Sequence, residues 1–519
     1  MFRSESRKSG GLSTALVANQ LRGAPELPRL LGSSVFERYR LARRASRGLP
    51  VMPDADLAAV QGSVRRWIEQ QDFGFGSQDY AAFDRARIER KIGGLVDYLA
   101  ANFADIPAVD LEATIRHTEM AFELYEQRTG DHSPHPDGDG SFAFIVPPRM
   151  SRLLTEYGQE VEPAIPGMRY VPNELRADMI VGLPPSVIDV YETGVDDVRG
   201  YLVFTPIYAD MMIDLDPVAG LAVAQRNINA AVDFAQERLG VSSVGLGAVL
   251  PALTRFGQLV DNPNVTVTTG HAGTIALISK LLDDVETQQL LCADAPLGVL
   301  GLGSIGASIA RVLAGRYPGR EMIIYDNEDR KISRTVERFR WDGHLPKVAT
   351  DVGDLLKRSG AVVSAITGTI DLGTLGTDID LGGTLIIDDS QPASFDPMQV
   401  AAHGGTAIWV IGRHVDRRIQ RETYDYGTML DPSADLFGCE GEAVALAMLD
   451  HDLKMGRSPD APGRENLDLL AQRRPVDPDR AHSMAMLFDY YGIGPAPHQA
   501  FGRPVTIANG HSPRIPKGL

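Results

Sequence analysis

Between Leu297 and Asp326 the chain reads LGVLGLGSIGASIARVLAGRYPGREMIIYD, an order of residues that few folds accept. A short apolar run, Leu297 to Leu300, leads into Gly301-Leu302-Gly303-Ser304-Ile305-Gly306. A helical pattern follows, then a second apolar run from Met322 to Tyr325, closed by Asp326. Strand, glycine turn, helix, strand and acid in that order describe a dinucleotide-binding unit. Gly301 permits the tight turn, Gly303 lets backbone approach a pyrophosphate, and Gly306 lets the helix lie close to the strand. The first N–H groups of that helix, from Ser304 and Ile305 onward, have no partners within it and face an anion. Asp326 stands where a carboxylate accepts hydrogen bonds from an adenosine ribose.

The alternation continues beyond Asp326. Helical patterns at Ile332 to Arg340 and Val352 to Arg358 are interleaved with apolar runs at Val348-Ala349, Ala361 to Ile366, Thr384 to Ile387 and Ala407 to Ile411. Six strands alternating with helices predict a Rossmann-type, doubly wound parallel sheet. Ligands in such sheets sit at the carboxyl ends of the strands. That places Thr367, in the turn after the fourth strand, near a nicotinamide. This unit is expected to span residues 292–430.

Ahead of it, residues 166–291 read as an α/β substrate domain. Val187 to Tyr191 and Tyr201 to Thr205 are β-branched runs joined by a turn at Gly194 to Asp197. Ala219 to Leu239 is an amphipathic helix stopped by Gly240, and VSSVGLGAVL from Val241 is a strand entering a glycine turn. Val265 to His271 is a strand entering a polar loop, followed by a helix from Thr274 to about Leu291. Residues 54–165 carry three apolar faces at helical spacing and predict a helical N-terminal domain. Its loop GDHSPHPDGDG holds His132, His135, Asp137 and Asp139. So polar a loop reads as a solvated turn, and no metal is expected.

Charge separates the ends of the chain. Residues 1–53 form a basic, Gly- and Ser-punctuated arm with ten Arg or Lys against three Glu up to residue 50. That surplus of +7 leaves −24 on the remainder, out of a net −17. An acidic body argues against general nucleic-acid binding. No apolar run reaches the roughly 20 residues needed to span a bilayer. Two cysteines in 519 residues give no disulfide framework and suit a reducing, cytoplasmic setting. A homo-oligomer is compatible with all of this.

The two cysteines read differently. Cys292 lies on an apolar helix–strand junction and is expected to pack. Cys439 opens the helix of residues 431–519, LFGCEGEAVALAMLDHDLKM from Leu436, before a Pro- and Arg-rich tail. A thiol at a helix N-terminus feels the dipole, which favours thiolate, while Glu440 and Glu442 oppose it. The residues alone leave open whether Cys439 is a packing residue or a nucleophile.

Several segments resemble the cyanobacterial long-chain acyl-ACP reductases (ACP, acyl carrier protein), which turn fatty acyl thioesters into aldehydes. Val181-Gly-Leu-Pro-Pro-Ser-Val-Ile-Asp189 looks like the start of that fold, and Asn229 to Leu250 like its helix and glycine-rich strand turn. Val267-Thr-Thr-Gly-His271 is similar to its Thr-Thr-Gly-Asn loop. Phe437-Gly-Cys-Glu-Gly-Glu-Ala443 resembles its Phe-x-Cys-x-x-Glu-Ala segment. The resemblance covers about residues 175 to 455 with order and spacing preserved. It implies that Cys439 takes the acyl group from acyl-ACP or acyl-CoA and that a nicotinamide then delivers hydride. It also implies that Thr268, Thr269, Gly270 and His271 line the substrate side. Departures are visible too. The family is associated with NADPH, whereas Asp326 favours NADH. The turn is Gly-Leu-Gly-Ser-Ile-Gly, where the family has a Gly-Ala-Thr-Gly-Asp-Ile-Gly type. His271 replaces an Asn, as a general acid or a hydrogen-bonded loop residue. Residues 1–160 have no counterpart. An ordinary dehydrogenase of a hydroxy or amino acid, and a non-catalytic NAD(H)-binding sensor, stand as alternatives.

Overall fold

The computed structural model describes residues 141–147, 185–193, 198–205, 207 and 217–505, with interruptions at 292–293, 342, 344, 377–378, 391–392, 416–419, 422–433, 457–463, 472–473 and 501–502. The expected basic arm, all of the expected helical domain but residues 141–147, the His132–Asp139 loop, the Gly194–Asp197 turn and Cys292 lie outside the described residues.

The first sheet begins with β1 (Ser141–Val146), β2 (Ser186–Glu192) and β3 (Arg199–Phe204). β2 and β3 pair antiparallel, and β1 lies parallel to β3 with Phe144 opposite Leu202. After α1 (Pro217–Leu239), β4 (Ser243–Leu246) joins the other side of β1. A short α2 (Leu250–Leu253) leads to β5 (Thr266–Thr268), parallel to β4. β1 corrects the expected boundary near residue 165. The segment SFAFIV falls inside the stretch read as helical, yet it is an interior strand of the substrate-side sheet. Its aromatic and β-branched residues are almost all buried on both faces, which suits a central strand and no amphipathic helix. α3 (His271–Thr287) starts three residues earlier than expected, so the polar loop shrinks to Thr269 and Gly270. α3 is buried nearly all round over its first three turns and is the hub on which the other layers pack.

The second sheet contains β6 (Leu297–Leu300), α4 (Ser304–Arg316), β7 (Met322–Tyr325), α5 (Asp329–Trp341), β8 (Lys347–Val348), α6 (Val352–Arg358), β9 (Ala361–Ser364), β10 (Leu385–Asp388), α7 (Pro397–Ala402) and β11 (Thr406–Trp409). All six strands are parallel, in the order β11-β10-β9-β6-β7-β8. This is the doubly wound sheet expected from the alternation. Its winding reverses between β6 and β9, which opens a crevice at their carboxyl ends.

Beyond it, β12 (Gly412–His414) and β13 (Gln420–Arg421) carry the chain back, and β13 pairs with β2 of the first sheet. Next come β14 (Asp435–Leu436), α8 (Gly438–Lys454), α9 (Arg464–Leu470), α10 (Pro478–Tyr490) and β15 (Ile493–Pro495), with β14 and β15 flanking β12. One core joins both sheets through α3, α8 and α10. Alternate residues of the second sheet (Leu297, Val299, Ile324, Val363, Ile387) face that core. Their neighbours (Leu300, Ile323, Val362, Ile386) face the opposite layer with Leu355 and Val400.

Candidate functional site

The glycine turn has the form its spacing predicts. Gly301 sits at φ +85°, where a side chain would be strained, and a Cβ on Gly306 would fall 1.7 Å from the Gly301 carbonyl oxygen. A Cβ on Gly303 would meet nothing within 4 Å, so the turn faces open space there. Ser304 and Ile305 open α4 half-buried, no carboxylate caps that helix, and its first N–H groups look into the same opening. These features fit a dinucleotide pyrophosphate.

Asp326 is buried at the end of β7. Its Oδ2 accepts the Leu302 N–H at 2.7 Å and its Oδ1 accepts the Glu328 N–H at 2.9 Å. The carboxylate therefore braces the turn, and each oxygen keeps a further acceptor position for a ribose hydroxyl. Lys331 Nζ stands 3.8 Å from Oδ1. Thr367 is exposed in the loop after β9, beside the turn: a Cβ on Gly301 would lie 2.6 Å from the Ala365 carbonyl oxygen.

Cys439 is the second residue of α8, half-buried. The backbone of Gly270, at φ +71°, lies against it. A Cβ on Gly270 would fall 2.1 Å from Cys439 Cβ, and one on Gly438 would fall 2.5 Å from Thr274 Cα. The N-termini of α3 and α8 thus meet through glycine backbone, and the structure brings Gly270 against Cys439. Thr268 donates its hydroxyl to Glu442. Thr269 and His271, on either side of Gly270, are buried, and Thr269 Oγ1 and His271 Nδ1 have no hydrogen-bond partner. His271 packs edge-on against Phe256 with ring centroids 5.6 Å apart. Burial, with Arg480 nearby, pushes the His271 imidazole down to about 4, so it is neutral at pH 7.

Of the two opposing influences on Cys439, the one against ionisation prevails. Burial pushes the Cys439 thiol well above its ordinary value, and the charges of Glu440, Asp389 and Glu442 push the same way. The Glu440 N–H opposes them, with an effect larger than that of Glu442 but smaller than those of burial, Glu440 and Asp389. The helix dipole loses because both glutamates lie buried in the first turns of α8.

Asp389, at the carboxyl end of β10, is the residue that sequence reasoning missed. Burial and the adjacent Asp388 hold its carboxyl well above the carboxylate range. Asp388 accepts the N–H groups of Ser390 (2.9 Å) and Ser394 (2.7 Å) and is raised by burial to about 6. The available signal is a pair of acids ending the apolar run LII, at the strand end where doubly wound sheets bind ligands. Gly301 abuts Ala365, and the Ile366 N–H donates to Ser390 Oγ at 3.1 Å, which ties the turn to the chain just after Asp389.

Among the described residues no cluster of metal-ligating side chains occurs, and no helix is long and apolar enough to cross a membrane. No family model and no curated protein matches the chain. Solved structures match distantly. A putative malic enzyme (malate oxidoreductase) is 12% identical over 73% of this chain and 91% of that one, with a TM-score of 0.33. A dipicolinate synthase chain from Bacillus halodurans is 16% identical over 40% of this chain and 65% of its own, at 0.24. A reductive aminase from Aspergillus terreus, in complex with NADPH, is 14% identical over 22% of this chain, at 0.17. The chain spans 39% of that aminase's length. The chemistry of the site therefore rests on its own residues.

Proposed function

We propose that the protein binds a nicotinamide dinucleotide at Gly301–Gly306 and reduces an acyl thioester to an aldehyde through an acyl group carried on Cys439. The observation that carries this reading is the seating of Cys439 against Gly270, whose chain neighbours Thr269 and His271 are buried with Oγ1 and Nδ1 unpartnered. Buried polar groups awaiting a partner next to the residue that meets Cys439 suit a bound carbonyl.

The residues divide the work as follows. Cys439 Sγ attacks the thioester carbonyl carbon and gives its proton to solvent, the carbon–sulfur bond to the carrier breaks, and the departing carrier thiolate takes a proton from solvent. The Thr269 hydroxyl and the neutral His271 hold the carbonyl oxygen. When bound, the reduced nicotinamide supplies a hydride to the acyl carbon; the carbon–Cys439 bond then breaks, releasing the aldehyde, and the thiol regains a proton. Asp326 at the ribose repels a 2′-phosphate, which favours NADH, while Lys331 beside it softens the discrimination. The acyl donor is an acyl-CoA or an acyl carrier protein, as the family resemblance implies.

One observation favours the second reading, an ordinary dehydrogenase with Cys439 as packing: the suppressed ionisation of the thiol. Cys439→Ala separates the two. Thioester reduction falls below detection on the first reading, and hydride exchange with a hydroxy or amino acid survives on the second.

A further inference from the structure

We infer that Glu442 is the positioning residue that holds the Thr268–Gly273 segment against Cys439, an assignment that rests on reading Cys439 as the nucleophile. Glu442 lies three residues after Cys439, on the same side of α8, and is fully buried. Its carboxylate accepts the Thr268 hydroxyl, the Gly270 N–H at 3.1 Å and the Gly273 N–H at 2.7 Å. Those donors come from the end of β5 and the first turn of α3. Gly270, whose N–H is gripped, is also the residue whose backbone lies against Cys439 Cβ and Cα. One carboxylate on the cysteine's own helix therefore fixes the backbone against which Cys439 is seated.

The charged surroundings give Glu442 a second effect. Burial raises the Glu442 carboxyl above its ordinary value, opposed by the Gly273 N–H and by the charge of Arg480, which is 1% exposed on α10 and donates to the carbonyls of Arg474 (2.7 Å) and Leu470 (2.8 Å). From α3, His271 faces this region as a neutral ring. On α8, Glu440 is engaged by the Tyr191 hydroxyl (2.8 Å) and the Phe437 N–H (2.7 Å). From the end of β10, Asp389 adds its charge to those that oppose ionisation of Cys439. A charge on Glu442 adds to burial, Glu440 and Asp389 in opposing ionisation of Cys439.

The test uses the full chain with Glu442→Gln, Glu442→Asp and Thr268→Val. Alkylation of Cys439 by iodoacetamide is followed by peptide mass against pH, with acyl transfer from palmitoyl-CoA measured alongside. Glu442→Gln removes a charge and points an NH₂ group at N–H donors. The expected results are an alkylation curve shifted to lower pH by about half a unit or more, acyl transfer down at least about tenfold, and an NADH Kd within about twofold. Glu442→Asp keeps the charge and so the midpoint of the curve, but loses acyl transfer. Thr268→Val keeps the midpoint and loses acyl transfer about threefold, and it decides the matter should the Gln variant not fold. An unmoved alkylation curve in a folded Gln variant, or full acyl transfer in Thr268→Val, overturns the assignment. Should the wild type take no acyl group, the nucleophile reading fails by itself, and the alkylation shift still decides whether Glu442 acts on Cys439.

Discussion

The turn at Gly301–Gly306 and the shelf around Cys439 both lie at helix N-termini, yet their helix ends are satisfied in opposite ways. No carboxylate caps α4, and its first turn faces open space at Gly303. The first turn of α3 is filled by Glu442, and that of α8 by Glu440. An unfilled end attracts an anion. A filled end has spent its field on the protein's own carboxylates and acidifies nothing beside it. A helix N-terminus thus promises a reactive thiol only where no buried acid has taken its place.

The sharpest way to break this comparison is at the turn. In Gly306→Val a side chain must occupy the space 1.7 Å from the Gly301 carbonyl oxygen. NADH affinity, read by fluorescence titration, is expected to fall more than about 100-fold, while Cys439 alkylation at fixed pH stays as in wild type. Loss of both together would mean that the two regions fold as one cooperative unit.

On the shelf, pH provides the next test. His271 titrates near 6.5 when unfolded and about 4 when folded, so the folded state binds fewer protons between those values. Its contribution is fully present above about pH 6.5 and is lost as pH falls towards 4, by roughly 3 kcal/mol. Urea unfolding of wild type and His271→Gln at pH 7 and pH 4.5 should show the variant losing less stability on acidification, by about 2 kcal/mol. Parallel losses would place His271 in contact with water.

Asp326→Asn is expected to give the smallest effect. It keeps an acceptor for the Leu302 N–H but removes the charge facing a 2′-phosphate. The NADPH-to-NADH affinity ratio should rise several-fold, at a stability cost of about 1 kcal/mol. An unchanged ratio would make Asp326 a brace for the turn and nothing more.

These differences also explain what is legible in the sequence. The turn is readable because Gly301, Gly303, Gly306 and Asp326 act through local backbone geometry, and the alternation around them predicts all six strands of the second sheet. The motifs Thr268–His271 and Phe437–Ala443 are readable only as separate segments. Nothing local tells that Glu442 caps a helix about 170 residues away in the chain or that Gly270 lies on Cys439. The ionisation of Cys439 escapes a local reading because burial and Asp389 are properties of the assembled fold. β1 escapes it because a strand that enters a sheet out of chain order carries no signal of its destination.

The central claim, an acyl group on Cys439, is tested most directly by intact-protein mass spectrometry after mixing with palmitoyl-CoA in the absence of reduced cofactor, with Cys439→Ala alongside. The expected result is an added palmitoyl mass on wild type alone, discharged as hexadecanal when NADH is supplied. If a panel of short- and long-chain acyl-CoA and acyl-ACP donors leaves folded, NADH-binding wild type unmodified, or if Cys439→Ala acylates equally, the acyl-enzyme is contradicted and the dehydrogenase reading takes its place.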